Sequence, residues 1–238
     1  MLDVKILTGY PEMFPGVLAH SLMAKALKEN IFKIETINLH DFGIDNRKSV
    51  DDEPFGGGPG MILRPDVVEK ALLSVSNKQN LNSAKIYLTP SGSLLNQEKL
   101  GFFSKLDEII ILCGRFEGVD QRAIEVFGFE EVSIGDYVLT GGEIAAQVLL
   151  EGCIRLIPGV LGHPASLLEE SFSNNLLEYP QYTRPRVWKD SLGKKHDVPE
   201  VLTSGHHGSI KKWRLDKSVE KTKKIRPDLY IKKEQEQD

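Results

Sequence analysis

The chain has 238 residues, 40% of them hydrophobic and 27% charged, with a formal net charge of −4. This is an ordinary globular composition, and no run of about 18 apolar residues offers a membrane span. Two cysteines, Cys113 and Cys153, both in apolar surroundings, fit a reduced compartment and cannot build a metal cluster between them. The charge is unevenly spread. Residues 1–174 carry 15 Lys and Arg against 24 Asp and Glu, a net of −9; residues 175–238 carry 15 against 10, a net of +5. The overall negative charge speaks against a nucleic-acid partner, but its distribution speaks for one. A basic C-terminal part fits a docked polyanion and, equally well, a solvated lysine-rich tail.

Taken in chain order, the N-terminus has an acid at position 3 and no basic region ahead of an apolar core, so it reads as a first strand and not as a signal peptide. Apolar runs at 4–7, 34–39, 85–88, 108–113 and 131–134 predict strands. Periodic segments at 17–29, 65–75, 96–105, 121–127 and 143–156 predict helices. That alternation predicts an α/β fold with a parallel sheet covered by helices. Residues 40–61 lack apolar periodicity and read as a long loop, functional or mobile, around Phe55-Gly-Gly-Gly-Pro-Gly60. Near residue 160 the texture changes at Pro158-Gly159 and Gly162-His-Pro164, and a polar, irregular stretch suits a linker. Beyond it the chain is basic with interleaved aromatics, Tyr179, Tyr182, Trp188, Trp213 and Tyr230. A helix through 209–215 with Ile210, Trp213 and Leu215 inward predicts a small helical domain.

Three glycine-containing turns follow strand-like runs: Thr89-Pro-Ser-Gly92, Cys113-Gly-Arg-Phe-Glu-Gly118, and Ser133-Ile-Gly-Asp-Tyr-Val-Leu-Thr-Gly-Gly-Glu143. Ligands of parallel sheets bind beyond the carboxyl ends of strands, and glycine lets backbone groups approach a ligand closely. Any one of these turns is most simply a change of chain direction, while three together predict one pocket. Glu143 by itself is also explained as an acid favoured at a helix start. The loop at 56–60 lacks the Lys-Ser/Thr pair of a phosphate-binding loop, and the turn after the first strand carries no dinucleotide fingerprint. His206-His207 has no zinc-like spacing to other ligands, which leaves a structural or RNA-contacting role. No nucleophile-elbow motif supports hydrolase chemistry.

The blocks Val50-Asp-Asp-Glu-Pro-Phe-Gly-Gly-Gly-Pro-Gly-Met61, Cys113-Gly-Arg-Phe-Glu-Gly-Val-Asp120, 133–143, Arg155-Leu-Ile-Pro-Gly-Val-Leu-Gly162 and Tyr182-Thr-Arg-Pro185, in this order, resemble the bacterial tRNA (guanine-N1)-methyltransferase family, TrmD, among the SPOUT methyltransferases. The resemblance runs essentially from end to end. It implies a cytoplasmic enzyme, not membrane-bound, that methylates N1 of guanosine-37 in tRNA with S-adenosylmethionine. It also implies a parallel sheet with a deep trefoil knot and a small, mostly helical C-terminal domain. The implied division is a methyltransferase domain over 1–160, a linker over 161–174 and a basic tRNA-binding domain over 175–238. The implied assembly is a homodimer with its active site at the subunit interface.

Carried over by position, the resemblance implies that Tyr87, Leu88, Pro90, Gly92, Gly114, Glu117, Ser133, Ile134, Gly135, Tyr137, Leu139, Gly141 and Gly142 bind the methyl donor. Asp51, Gly60, Ser166, Ser171, Lys211 and Arg214 would meet the substrate. Arg155 would stabilise charge on guanine O6. The family's general base is an aspartate before Ser-Phe; this chain reads Glu169-Glu170-Ser171-Phe172. Glu170 therefore takes the aspartate's place, with Glu169 as the alternative. Magnesium assistance is a family property that these residues do not display.

Overall fold

The computed structural model describes residues 1–75, 82–162 and 169–235. The chain forms two compact units, Met1–Gly162 and His163–Asp238.

The first unit is built on the predicted parallel sheet. Its strands are β1 (Leu2–Thr8), β2 (Phe32–Asn38), β5 (Ser83–Leu94), β6 (Glu108–Cys113) and β7 (Glu130–Ser133), in the order β2-β1-β6-β5-β7. Every neighbouring pair is parallel. The central strand β6, with sequence EIIILC, is buried at every position, as expected of a strand covered on both faces. Successive side chains of a strand point to opposite faces, and the core divides accordingly. Ile109 and Ile111 join one cluster with α1 (Ser21–Lys28) and α5 (Gly142–Ile154); Ile110 and Leu112 join another with α2 (Pro65–Val75) and α4 (Gln121–Phe127). The helix α3 (Gln97–Phe103) follows β5 and contributes Phe103 to the first cluster.

Three expectations need correction. The helix expected over 17–29 is split: a 3-10 turn at Gly16–Ala19 precedes α1, and Ser21, at the start of α1, has a φ of +52°. The loop expected over 40–61 contains a 3-10 turn at Leu39–Phe42 and then a hairpin, in which β3 (Asp51–Asp52) pairs antiparallel with β4 (Ile62–Leu63). Its glycine-rich segment is the tip. Finally, β5 does not end at the turn over 89–92. Val132 pairs with both Leu88 and Ser93, so the strand extrudes four residues and resumes. The closure leaves no room beside Gly92, where a Cβ would lie 2.4 Å from the Val132 nitrogen.

The second unit contains a two-stranded antiparallel hairpin, β8 (Val187–Lys189) with β9 (Lys195–Asp197), which the sequence reading did not anticipate. Two helices follow, α6 (His207–Ile225) and α7 (Pro227–Gln235). The helix expected through 209–215 is thus much longer, and Leu215 is 52% exposed, not inward. The buried stripe of α6 is polar: Ser218 and Thr222. The Thr222 hydroxyl accepts the Leu177 N–H at 2.8 Å and donates to the Ser218 carbonyl at 2.6 Å. A residue that ties two segments by hydrogen bonds has to be buried whatever its hydropathy.

Candidate active site

The carboxyl ends of β5, β6 and β7 open onto one cavity of about 250 Å³. Its walls are the 89–90 part of the extruded loop, the 114–118 turn, and the 133–142 segment that leads into α5. Every residue named from the sequence for the methyl donor lines it except Gly92, which packs against Val132 one step behind the wall. The walls are stitched by backbone. The Gly142 N–H donates to the Gly114 carbonyl at 2.9 Å, and Arg115 bridges Gly141 in an antiparallel step. Glycine is required where these segments touch. A Cβ on Gly142 would sit 2.9 Å from the Cys113 Cα, and one on Gly114 would sit 2.8 Å from the Tyr87 ring. Such Cβ-free walls let a flat heterocycle approach the backbone closely.

Beneath the cavity lies a cluster that the sequence reading missed. Glu143 is only 1% exposed. It accepts the Thr8 hydroxyl at 2.9 Å and faces Arg115 with Nε–Oε2 at 3.0 Å. Those two atoms are close but not aligned as a hydrogen bond, so the attraction is electrostatic. The Arg115 guanidinium also lies 4.3 Å from the centre of the Tyr10 ring, within cation–π range. Burying a carboxylate is costly unless it is paired. Glu143 therefore ties the end of β1 and the 114–118 turn to the start of α5. The acid read as a plain helix-start residue is the joint of the site, and only the burial of its partners reveals that.

Burial pushes the Tyr87 phenol up, which keeps it a neutral hydrogen-bonding wall. Burial, with Glu143 nearby, pushes the Cys113 thiol well up, and burial alone lifts Cys153 to about 12. Both thiols are therefore inert packing groups. Among the described residues no group of three or more His, Cys, Asp or Glu comes together as a metal site, and no helix is long and apolar enough to cross a membrane.

The remaining expected site residues are distributed. Gly60, at a φ of +87°, abuts the Glu117 side chain, and the Glu117 N–H donates to the Met61 carbonyl at 2.9 Å; the hairpin is thereby pinned to the cavity wall. Asp51 lies in β3, opposite Leu63. Arg155 caps the C-terminal end of α5 and does not line the cavity. In the second unit, Glu169, Glu170, Lys211 and Arg214 surround a separate cavity of about 220 Å³. Glu169 accepts the Tyr179 hydroxyl at 3.0 Å and pairs with Arg214 at 3.3 Å, while the Arg214 guanidinium lies 4.8 Å from the Tyr179 ring centre. Burial, followed by the bond to Glu169, pushes the Tyr179 phenol up. The Ser171 hydroxyl accepts the Glu178 N–H at 3.0 Å. Ser166 lies outside the described residues.

Comparison with known proteins agrees with this architecture. The family model described as "tRNA (Guanine-1)-methyltransferase TrmD" matches residues 2–232. A Ruegeria sp. (strain TM1040) protein named tRNA (guanine-N(1)-)-methyltransferase is 51% identical over 226 residues, covering 95% of this chain and 91% of the relative. Its namesake from Wolbachia pipientis subsp. Culex pipiens is 50% identical, covering 95% of this chain and 96% of the relative. The one from Ehrlichia canis is 47% identical, covering 96% and 95%. With a match of this length, the chain belongs to the tRNA (guanine-1)-methyltransferase TrmD family.

Proposed function

We propose that this enzyme transfers a methyl group from S-adenosylmethionine to N1 of guanosine-37 in tRNA, in the cytoplasm. The observation that carries the reading is the convergence of three glycine-bearing turns on one cavity, in a chain of this family. The donor supplies a sulfonium-activated methyl group. The protein's part is to hold it: backbone groups of 87–90, 114–117 and 133–142 read the adenine edges, and the buried Glu143–Arg115 joint keeps the walls at fixed spacing. The close backbone approaches at Gly92 and Gly142 support the threaded, knotted form of the SPOUT sheet.

Guanine N1 carries a proton at neutral pH, so transfer requires a base and a stabiliser for charge growing on O6. We assign the base to Glu170, which stands directly before Ser171-Phe172, where the family's aspartate stands. A positioned carboxylate contributes about 10²- to 10⁴-fold. Arg155 is the electrostatic stabiliser. It ends the helix whose first residue, Gly142, lines the cavity, roughly 20 Å away along α5 at 1.5 Å per residue. One chain therefore does not bring Arg155 to its own cavity along this helix. We infer a homodimer in which each cavity is completed by Arg155 of the partner subunit. Ile144 and Val148, 49% and 48% exposed on the mostly buried α5, support that helix as part of the contact. Lys211 and Arg214 serve the tRNA, and Asp51, Gly60 and Ser171 the target nucleotide. No step is assigned to magnesium.

The test is methyl incorporation from labelled donor into a tRNA transcript with guanosines at positions 36 and 37, beside one substituted at 37. Incorporation only in the first is expected. Equal incorporation in both would overturn the position, and none in either the activity.

A further inference from the structure

The hairpin of the second unit has no evident structural employment. All six paired residues of β8 and β9 are exposed, and an isolated two-stranded hairpin is marginal in water. It is nonetheless carefully built. Asp190 at the turn accepts the Leu192 and Lys194 N–H groups on one carboxylate oxygen, at 2.9 and 3.0 Å, and meets His196 Nε2 at 2.9 Å on the other. The His196 ring stacks on Trp188, centroids 5.1 Å apart. The ribbon thus holds its own shape without burying a face.

Its charge is the second observation. Arg184, Arg186, Lys189, Lys194 and Lys195 lie within twelve positions and all are exposed. Among the described residues none of the five takes part in an ion pair; the hairpin's Asp190 pairs with His196 instead. Lys189 also stands directly opposite Lys195 in the ladder. Like charges in that relation destabilise a ribbon. A repulsive, unneutralised pair on a strand with no other partner is explained by an anion that the free protein lacks.

We propose that the ribbon over 184–197 is a tRNA backbone-docking element, separate from the Lys211 and Arg214 surface, with Lys189 and Lys195 gripping phosphates and Trp188, 56% exposed, lying against the nucleic acid. This rests on the tRNA reading above. Phosphate contacts set affinity and its salt dependence, and release condensed counterions in proportion to their number.

The test uses the full chain and an unmodified tRNA transcript. Affinity is measured by fluorescence anisotropy across salt concentrations, alongside melting temperature and donor affinity. Lys189→Ala with Lys195→Ala should weaken tRNA binding roughly tenfold at about 0.1 M salt and make the log–log salt slope shallower by about 1.5. Donor affinity should be unchanged and the melting temperature equal or higher. The single change Lys195→Glu separates docking from folding, since it turns a repulsive cross-strand pair into an attractive one. Docking predicts weaker tRNA binding at an undiminished melting temperature. Unchanged tRNA affinity and slope in both variants, while the unaltered chain binds and methylates tRNA, would refute the ribbon alone. A variant that shifts the oligomeric state with tRNA titration untouched would make the ribbon a protein contact and likewise refute it. If the unaltered chain neither binds nor methylates tRNA, both readings fall together.

Discussion

The two cavities are of similar size, about 250 and 220 Å³, and are made of opposite materials. The first is walled by short loop segments, with glycines where they touch and apolar side chains such as Leu88, Val138 and Leu139 between, and the Glu143–Arg115 pair lies at its joint. The second is walled by long side chains, two glutamates, a lysine and an arginine, over Leu176, Leu177 and Leu215. Backbone cannot swing, so the first cavity suits a ligand that never changes, such as a cofactor. Long charged side chains adapt, so the second suits a polymer whose groups arrive in varied settings. The first cavity should therefore respond to changes of a single methyl group, and the second to changes of charge.

The sharpest break should come from charge. Glu170→Gln should lower the single-turnover rate on tRNA by about 10²- to 10⁴-fold; a near-normal rate in rapid quench would remove it as the base. Arg155→Ala should lower the same rate by about 10²- to 10³-fold and leave donor binding by calorimetry nearly intact. Lost donor affinity with normal turnover would reverse its role. Next comes the methyl-group test of the first cavity. Gly142→Ala puts a Cβ 2.9 Å from the Cys113 Cα, where only backbone could yield; overpacking of this kind costs about 1–3 kcal/mol. Donor affinity should fall by about tenfold or more, with tRNA affinity unchanged.

The smallest effect sits away from both cavities. Asp120 caps α4, accepting the Arg122 N–H at 3.0 Å, and its side-chain bond to Arg122 holds its carboxyl below the usual range. Asp120→Ala should lower stability at neutral pH by about 1 kcal/mol. A depressed acid stabilises above its unfolded value and loses that contribution as pH falls through its folded one. The gap between variant and unaltered chain in thermal melts should thus narrow below about pH 3.9, and a gap that widened there would contradict the assignment.

What could be read from the sequence followed burial. The strands β1, β5 and β6 announce themselves because a sheet covered on both sides demands largely apolar runs. The strands β3, β4, β8 and β9 are two or three residues long, leave most of their side chains exposed, and exist through their pairing, which no local pattern carries. The cavity walls were legible as glycine turns after strands. Their joint was not, because Glu143 at a helix start looks the same whether it faces water or, as here, Thr8 and Arg115. Leu215 misled for the converse reason: the inward stripe of α6 is fixed by the hydrogen bonds of Thr222, and hydropathy gives no hint of them.

The double pairing of Val132 constrains length more than chemistry. Because the sheet grips β5 on both sides of the 89–92 excursion, that loop has a fixed number of residues to spend between two anchored ends. A deletion within it would move Ser93 and Leu94 out of register and turn their side chains to the opposite face, whereas Gly56, Gly57 and Gly58, with open space around them, face no such constraint. Of these two loops, the one at 56–58 should tolerate a change of length, and the one at 89–92 should tolerate neither that nor a side chain at Gly92.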